Sequence, residues 1–252
     1  MKISVIIPVY NEFRMFSQVL HRVQAAALPD GCSKEIVVVN DGSTDGTAEI
    51  INQHANTGSI IAHHLLENSG KGNAIRAGLA IASGEVLIIQ DGDLEYDPRD
   101  YVRLVAPILA GNADVVYGSR FLGSPVDMAL KNRMANWILT TTANLLFAAG
   151  LTDEATAYKA FRASTLQQIR LSCRRFEFCP EVTAKLRRLG YPIREIAIAY
   201  NARNIADGKK IRARDGFEAL WTLLRYRFVP RRRWSKSPNY RYNVGEPRFK
   251  RP

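Results

Sequence analysis

The run Val86-Leu87-Ile88-Ile89-Gln90-Asp91-Gly92-Asp93 decides the fold. Its apolar residues continue without alternation, the pattern of a strand covered on both faces, as in the parallel sheets of α/β proteins. Ligands of such sheets bind beyond the carboxyl ends of the strands, and there the run turns abruptly to two carboxylates around a glycine. Alternate residues of an extended chain face the same way, so Asp91 and Asp93 are expected to converge. Their oxygens suit Mg²⁺ or Mn²⁺, ions that usually bridge to a substrate's phosphates. Gly92 is expected to let the backbone approach that ligand closely. A D-x-D alone decorates many turns; its neighbours give this one weight.

Toward the N-terminus, strands are expected at residues 3–9, 35–40 and 59–66, with helices over 13–27, 47–54 and 70–81. Toward the C-terminus, Asp97-Pro98 starts a helix to about 110, and 114–118 is a further strand. This β-α-β-α order implies right-handed crossovers and a mostly parallel sheet flanked by helices. Beyond Arg120 the pattern loosens to a polar loop, an uncharged helix, a short strand near 156–161, a helix around 180–189 and a strand at 193–200. Phe217, Leu220, Trp221, Leu224 and Phe228 then share one face of a C-terminal amphipathic helix. The expected division is a body over 1–229 and a basic, flexible tail over 230–252.

The formal net charge is +11. Residues 203–252 hold 15 basic and 4 acidic residues, so the whole excess lies in the last fifth of the chain. A basic end on a neutral body suggests an anionic surface as partner, membrane lipid or nucleic acid. The three cysteines form no C-x-x-C pair and fit a reduced, cytoplasmic compartment. Met1-Lys2 runs straight into Ile3-Ser-Val-Ile-Ile7, which leaves no room for a signal peptide's charged start and cleavage site. Residues 134–152 are uncharged, near the ~20 needed to cross a bilayer. Asn136, Thr140, Thr141, Thr142, Asn144 and Gly150 make this stretch a better buried or interfacial helix than a spanning one.

Strand one ends in Pro8-Val9-Tyr10-Asn11-Glu12 and strand two in Asn40-Asp41-Gly42-Ser43-Thr44-Asp45-Gly46-Thr47. In a parallel sheet both tips share an edge with Asp91 and Asp93. An aromatic ring, carboxylates and glycine turns there can hold a base, a ribose and a diphosphate–metal unit. The plainer alternative is turn chemistry and a helix cap. Ser69-Gly70-Lys71-Gly72 lacks the G-x-x-x-x-G-K-[ST] spacing of a P-loop, and no G-x-G-x-x-G follows strand one. The four histidines show no ligand spacing.

These segments, with Gln90 to Pro98 and Tyr117-Gly-Ser-Arg-Phe121, resemble the GT-A-fold inverting glycosyltransferases that use nucleotide sugars. Leu151 to Arg162, Phe176 to Glu181, Tyr200 to Arg203 and Gly208-Lys209-Lys210 narrow the resemblance to the polyprenol-phosphate sugar synthases, typified by dolichol-phosphate mannosyltransferase. It covers nearly all of residues 3–220. It implies that Pro8, Tyr10, Glu12, Val39 and Asp41 line the nucleoside pocket, with Asp41 accepting from the base. It implies that Asp91 and Asp93 hold the metal and donor diphosphate, with Gly92 contributing backbone and Glu95 a third ligand. Arg120, Arg203 and Lys209 would surround phosphate oxygens, the last two on a loop that closes over the diphosphate. Asn40, Glu95 and Ala157 depart from residues common in the family. Asn40 could alter base selectivity and Glu95 metal preference.

The resulting expectation is transfer of a sugar, mannose from GDP-mannose, onto a polyprenyl phosphate at the cytoplasmic face of a membrane. Lys131 and Arg133, just before the uncharged stretch, would hold the lipid phosphate, with its chain along Trp137, Ile138, Leu145 and Phe147. The enzyme is expected to lie peripherally on the anionic membrane surface, with a membrane-embedded partner subunit left open and no nucleic acid expected. The nearest rival is a soluble glycosyltransferase with Asp153 or Glu177 as base for a hydroxyl acceptor. A more distant one is a nucleic-acid-binding protein using Trp234, Tyr240 and Tyr242 among the arginines of the tail.

Overall fold

Runs rich in Val and Ile build a single seven-stranded sheet in the order β3-β2-β1-β4-β6-β5-β7. The strands are β1 (Lys2–Val9), β2 (Ser33–Asn40), β3 (Ile61–His64), β4 (Val86–Ile89), β5 (Val115–Ser119), β6 (Lys159–Arg162) and β7 (Arg194–Ala197). This computed structural model describes residues 1–123, 128–202 and 213–235. The left half is parallel, β1 pairing with both β2 and β4 and β2 with β3. β5 and β7 are parallel to one another. Between β4 and β5 the chain inserts β6, antiparallel to each. Sequence periodicity gives a strand there but not its direction; the reversal follows from α5, after which Thr152 and Asp153 lie beside Ser119 and Arg120 at the carboxyl end of β5 before β6 begins.

Helices α1 (Phe16–Ala25), α2 (Thr47–Asn56), α3 (Lys71–Ile81) and α4 (Tyr101–Leu109) are the crossovers. They turn apolar stripes inward, such as Phe16, Val19, Leu20 and Val23 of α1. A 3₁₀ turn, Pro98–Asp100, precedes α4, capped by the Asp97 carboxylate on the N–H of Arg99, as proline at an early position allows. Helices α5 (Leu130–Phe147), α6 (Ala163–Leu166), α7 (Phe178–Arg188) and α8 (Ala213–Phe228) complete the fold. α5 ends where Ala148 takes φ 48°, so Ala148 to Thr152 form its exit rather than its last turn.

Two buried layers sandwich the sheet. One joins α1 and α4 to Ile3, Val5, Ile7 and Ile88, while the other joins α3, α5, α7 and α8 to Ile6, Val37 and Tyr117. The second layer also takes in Trp234, which is buried. Arg170 donates its N–H to the Trp234 carbonyl at 2.7 Å, and Ile169 and Ser235 form a β-bridge. The packed body therefore reaches Ser235, not residue 229: an indole large enough to bury was hidden among arginines in the sequence. The remainder of the expected tail, 236–252, lies outside the described residues.

Beneath α8 a buried ion pair, Glu181–Lys185, spans one turn of α7. Glu181 also accepts from the N–H groups of Ser172 (2.8 Å) and Cys173 (2.6 Å) and from the Tyr226 hydroxyl (3.0 Å). Burial alone would raise the Glu181 pKa, but Lys185 and these donors hold it below the usual carboxylate range. The pair fixes the segment 170–175, which in turn packs on the start of α3.

Candidate active site

The tips of β1, β2 and β4 meet at one edge, as expected, and short polar side chains knit the loops together. Asn11 (φ 49°) receives the N–H of Thr44 on its side-chain oxygen at 2.8 Å and donates its own N–H to Ser43 Oγ at 3.0 Å. Glu12 N–H donates to Thr47 Oγ1 and Phe13 N–H to Asp45 Oδ2. Ser43, Asp45 and Thr47 thus tie the β1 and β2 tips together, while α2 starts after Gly46 without a side-chain cap. Asn40 is committed likewise, accepting from Ser43 N–H and lying 3.0 Å from His64 Nδ1. Pro8 and Val39 pair across β1 and β2, and Tyr10 and Glu12, both half-buried, follow at the same tip.

Asp41 departs from its expected role. Its carboxylate is buried and accepts from the N–H groups of Ser69 (2.8 Å) and Gly70 (2.9 Å) and from Asn68 Nδ2 (3.1 Å). Burial pushes its pKa up, and those donors pull against that shift. Through these bonds Asp41 pins the turn that begins α3. Gly42 is required here, at φ +68°, because a Cβ would lie 2.5 Å from the Glu67 backbone.

At the β4 tip, Gly92 makes its close approach to Pro8 O and Val9, where a Cβ would sit at 3.2–3.3 Å. Asp91 Oδ1 is withdrawn from solvent and takes no hydrogen bond of ordinary geometry; its compensation is the Lys71 ammonium, 2.5 Å away. Such an under-coordinated carboxylate oxygen at a sheet edge fits a divalent cation. Asp93 Oδ1 accepts from Glu95 N–H at 3.0 Å, which fixes the turn. Glu95, expected as a third ligand, has its Oε2 accepting from the Tyr200 hydroxyl at 3.1 Å and its carbonyl accepting from Asn201 N–H. Among the described residues no three His, Cys, Asp or Glu side chains group to hold a metal. One or two carboxylates completed by substrate phosphates is the usual arrangement for Mg²⁺.

Arg120 is also drawn away from an open phosphate site. Its Nε and Nη2 grip Asp153 at 2.6 and 2.7 Å, its N–H reaches the same carboxylate, and it lies 5.0 Å from the Tyr200 ring. Burial opposes the charge, yet the Tyr96 and Asp153 oxygens hold the Arg120 pKa up. Asp153 is fully buried, and a carboxylate locked to a guanidinium is no general base. Glu177, the other candidate, accepts from the N–H groups of Arg174 and Arg175.

Glu154, next to Asp153 in the chain, carries no signal of its own in the sequence. It is fully buried, and burial pushes its pKa up to about 8 against the pull of Lys159 and a hydrogen bond from Thr183. A carboxyl whose folded pKa exceeds its unfolded one destabilises the fold progressively as pH rises between the two values. Stability should therefore fall from about pH 4.5 to about 8, by at most about 1.4 kcal/mol per pH unit. Glu154→Gln should remove that slope in denaturant titrations across this range. An unchanged slope would refute the assignment.

Lys131 and Arg133 are both exposed in the first turn of α5, where unpaired N–H groups add to the attraction for an anion. Arg203 and Lys209 lie outside the described residues. α5 packs beside α8, and both turn large apolar side chains outward. On α5 these include Leu130, Met134, Trp137 (66% exposed) and Leu145 (81%); on α8 they include Phe217 (74%), Trp221 and Phe228 (78%). Phe147 points inward instead, into the core. No helix of the described residues is long and apolar enough to cross a membrane.

A doubly covered sheet with an acidic β4 tip and a reversed strand beside it is a GT-A-type architecture. The glycosyl transferase family 2 pattern matches residues 4–170, and the chain belongs to that family. It is 30% identical over 218 residues to an undecaprenyl-phosphate mannosyltransferase of Micrococcus luteus, covering 83% of this chain and 87% of that one. It is 27% identical over 210 residues to a dodecaprenyl-phosphate galacturonate synthase of Rhizobium johnstonii, spanning 81% of this chain and 60% of that protein. In fold it matches a glucosyl-3-phosphoglycerate synthase of Mycobacterium tuberculosis, solved with Mn²⁺, UDP and glucosyl-3-phosphoglycerate. The TM-score is 0.67 at 21% identity, over 91% of this chain and 81% of that one.

Proposed function

We propose that this glycosyltransferase moves a sugar from a nucleoside diphosphate onto a polyprenyl phosphate, with inversion, while lying on the cytoplasmic face of a membrane. The observation that carries the reading is the set of large apolar side chains that α5 and α8, packed beside one another, turn outward, with Lys131 and Arg133 exposed at the start of α5. A soluble acceptor has no use for exposed Trp, Leu and Phe in that number, whereas a lipid tail and a bilayer surface do. The basic residues of α8 and Arg231-Arg232-Arg233, all exposed, suit anionic headgroups.

A phosphate oxygen of the acceptor attacks the anomeric carbon as the bond to the nucleoside diphosphate breaks on the opposite face. That oxygen is already ionised at neutral pH, so the step needs no general base. The burial of Asp153 against Arg120 is consistent with this and weighs against the hydroxyl-acceptor alternative. Trp234, enclosed by the core, is not available to stack on nucleic acid. Asp91 and Asp93 would hold Mg²⁺ or Mn²⁺, which when bound offsets charge on the leaving diphosphate. The Pro8–Glu12 and Val39–Asp41 tips form the wall for the nucleoside. By resemblance Arg203 and Lys209 are assigned to the diphosphate.

GDP-mannose is our choice of donor, supported by the Micrococcus luteus relative, although other relatives are named for other sugars. The deciding experiment incubates the protein with Mg²⁺, a panel of nucleotide sugars and a polyprenyl phosphate. A mannosyl lipid from GDP-mannose is expected, and glycosylation of a soluble hydroxyl acceptor alone would overturn the reading. Arg133→Ala should raise KM for the lipid phosphate about fivefold, from ~1 kcal/mol per basic residue near anionic lipid. Nucleotide affinity should not move; a loss there instead would place Arg133 on the donor side.

A further inference from the structure

The Gly70-Lys71-Gly72 turn fails as a P-loop in sequence, yet the structure aims its lysine at the acidic centre. Lys71 is the first residue of α3, and its backbone is held on three sides. The Asp41 carboxylate takes the N–H groups of Ser69 and Gly70, Arg174 O takes Asn73 N–H at 2.9 Å, and segment 173–175 presses on both glycines. A Cβ at Gly70 would meet Arg174 O at 2.5 Å, and one at Gly72 would meet Arg175 O at 2.8 Å. From that fixed base the lysine stem carries its ammonium to 2.5 Å from Asp91 Oδ1, the oxygen that otherwise lacks a partner.

We propose that Lys71 is a resident counter-cation for Asp91, which a divalent cation must displace to reach that carboxylate. The proposal rests on the reading of Asp91 as a metal ligand and deepens it. A metal ion bound to Oδ1 at ~2.1 Å, with the ammonium still 2.5 Å from the same oxygen, would place two like charges roughly 4 Å apart. Oδ1 also offers no exposed surface while the lysine holds it, so the metal gains that oxygen as the ammonium moves aside. The flexible lysine stem can give way, and the Phe176 ring, 6.0 Å from the ammonium, offers a face on which a displaced cation can rest. The consequence is selectivity for order: metal alone competes poorly with a tethered ammonium, whereas metal arriving with a diphosphate brings negative charge that favours both cations. Free Mg²⁺ would thus be kept off an enzyme that has no donor.

The test titrates Mn²⁺ without nucleotide into wild-type protein, Lys71→Met and Lys71→Arg, and follows the loss of the free-ion electron paramagnetic resonance signal. Lys71→Met is expected to bind Mn²⁺ alone at least tenfold more tightly than wild type. Lys71→Arg, which keeps a cation, should stay close to wild type. Thermal melts supply a second readout: Mn²⁺ should raise the midpoint of Lys71→Met more than that of wild type. Equal or weaker Mn²⁺ binding by a folded Lys71→Met protein would overturn the proposal. Asp91→Asn separates the two possible failures. If, with a nucleoside diphosphate present, it binds Mn²⁺ as the wild type does, Asp91 is no ligand and the metal reading itself falls. If it loses Mn²⁺ while Lys71→Met changes nothing, only the counter-cation is wrong.

Discussion

Asp93→Asn should lower turnover by about 10³-fold or more, because charge stabilisation by a metal at a leaving group is worth several kcal/mol. The substitution is clean in structural terms. The asparagine oxygen can still accept the Glu95 N–H that Asp93 Oδ1 receives at 3.0 Å, so the turn beyond β4 keeps its shape. Circular dichroism and the thermal midpoint should match wild type while Mn²⁺ affinity in the presence of nucleoside diphosphate collapses. The wild-type enzyme should lose activity in excess EDTA and regain it with Mg²⁺ or Mn²⁺. Near-normal turnover by the variant, or full activity in EDTA, would remove the metal from the scheme.

The second large effect belongs to stability. Asp153→Ala leaves the Arg120 guanidinium buried without the carboxylate that now meets its Nε and Nη2. Removing one partner of a buried pair costs about 3–5 kcal/mol, enough to unfold a large fraction of a marginal protein. The double variant Arg120→Met/Asp153→Leu should recover much of that loss, since no isolated charge remains. Denaturant melts of the three proteins check the cycle. Were Asp153 a general base for a hydroxyl acceptor, Asp153→Asn would fold normally and lose kcat alone.

The strands and their grouping at one edge were legible because buried parallel strands are written as unbroken apolar runs ending in polar tips. Three features were not. The direction of β6 depends on how α5 returns the chain, and that is a matter of tertiary path. The partners of Asp41, Glu95 and Arg120 come from Ser69, Tyr200 and Asp153, each far along the chain, so motif spacing showed their chemistry but not their engagement. Trp234 looked like part of a solvated basic run because composition outvoted one bulky apolar ring. Lys71 carried a usable signal, a cation between two glycines at a helix start, that a P-loop comparison was too narrow to use.

The antiparallel insertion of β6 has a consequence for biosynthesis. β4 can pair with β1 as soon as residue 89 is made, but its other side has no neighbour until β6 arrives at residues 159–162. At about 5–20 residues per second, the intervening ~70 residues take roughly 4–15 s. Throughout that interval the nascent chain carries a bare apolar strand flank, the kind of template that recruits other chains. β5 cannot close it, because β5 itself pairs only with β6 and β7. Expression at lower temperature, or with a chaperone that shields such flanks, should therefore improve soluble yield.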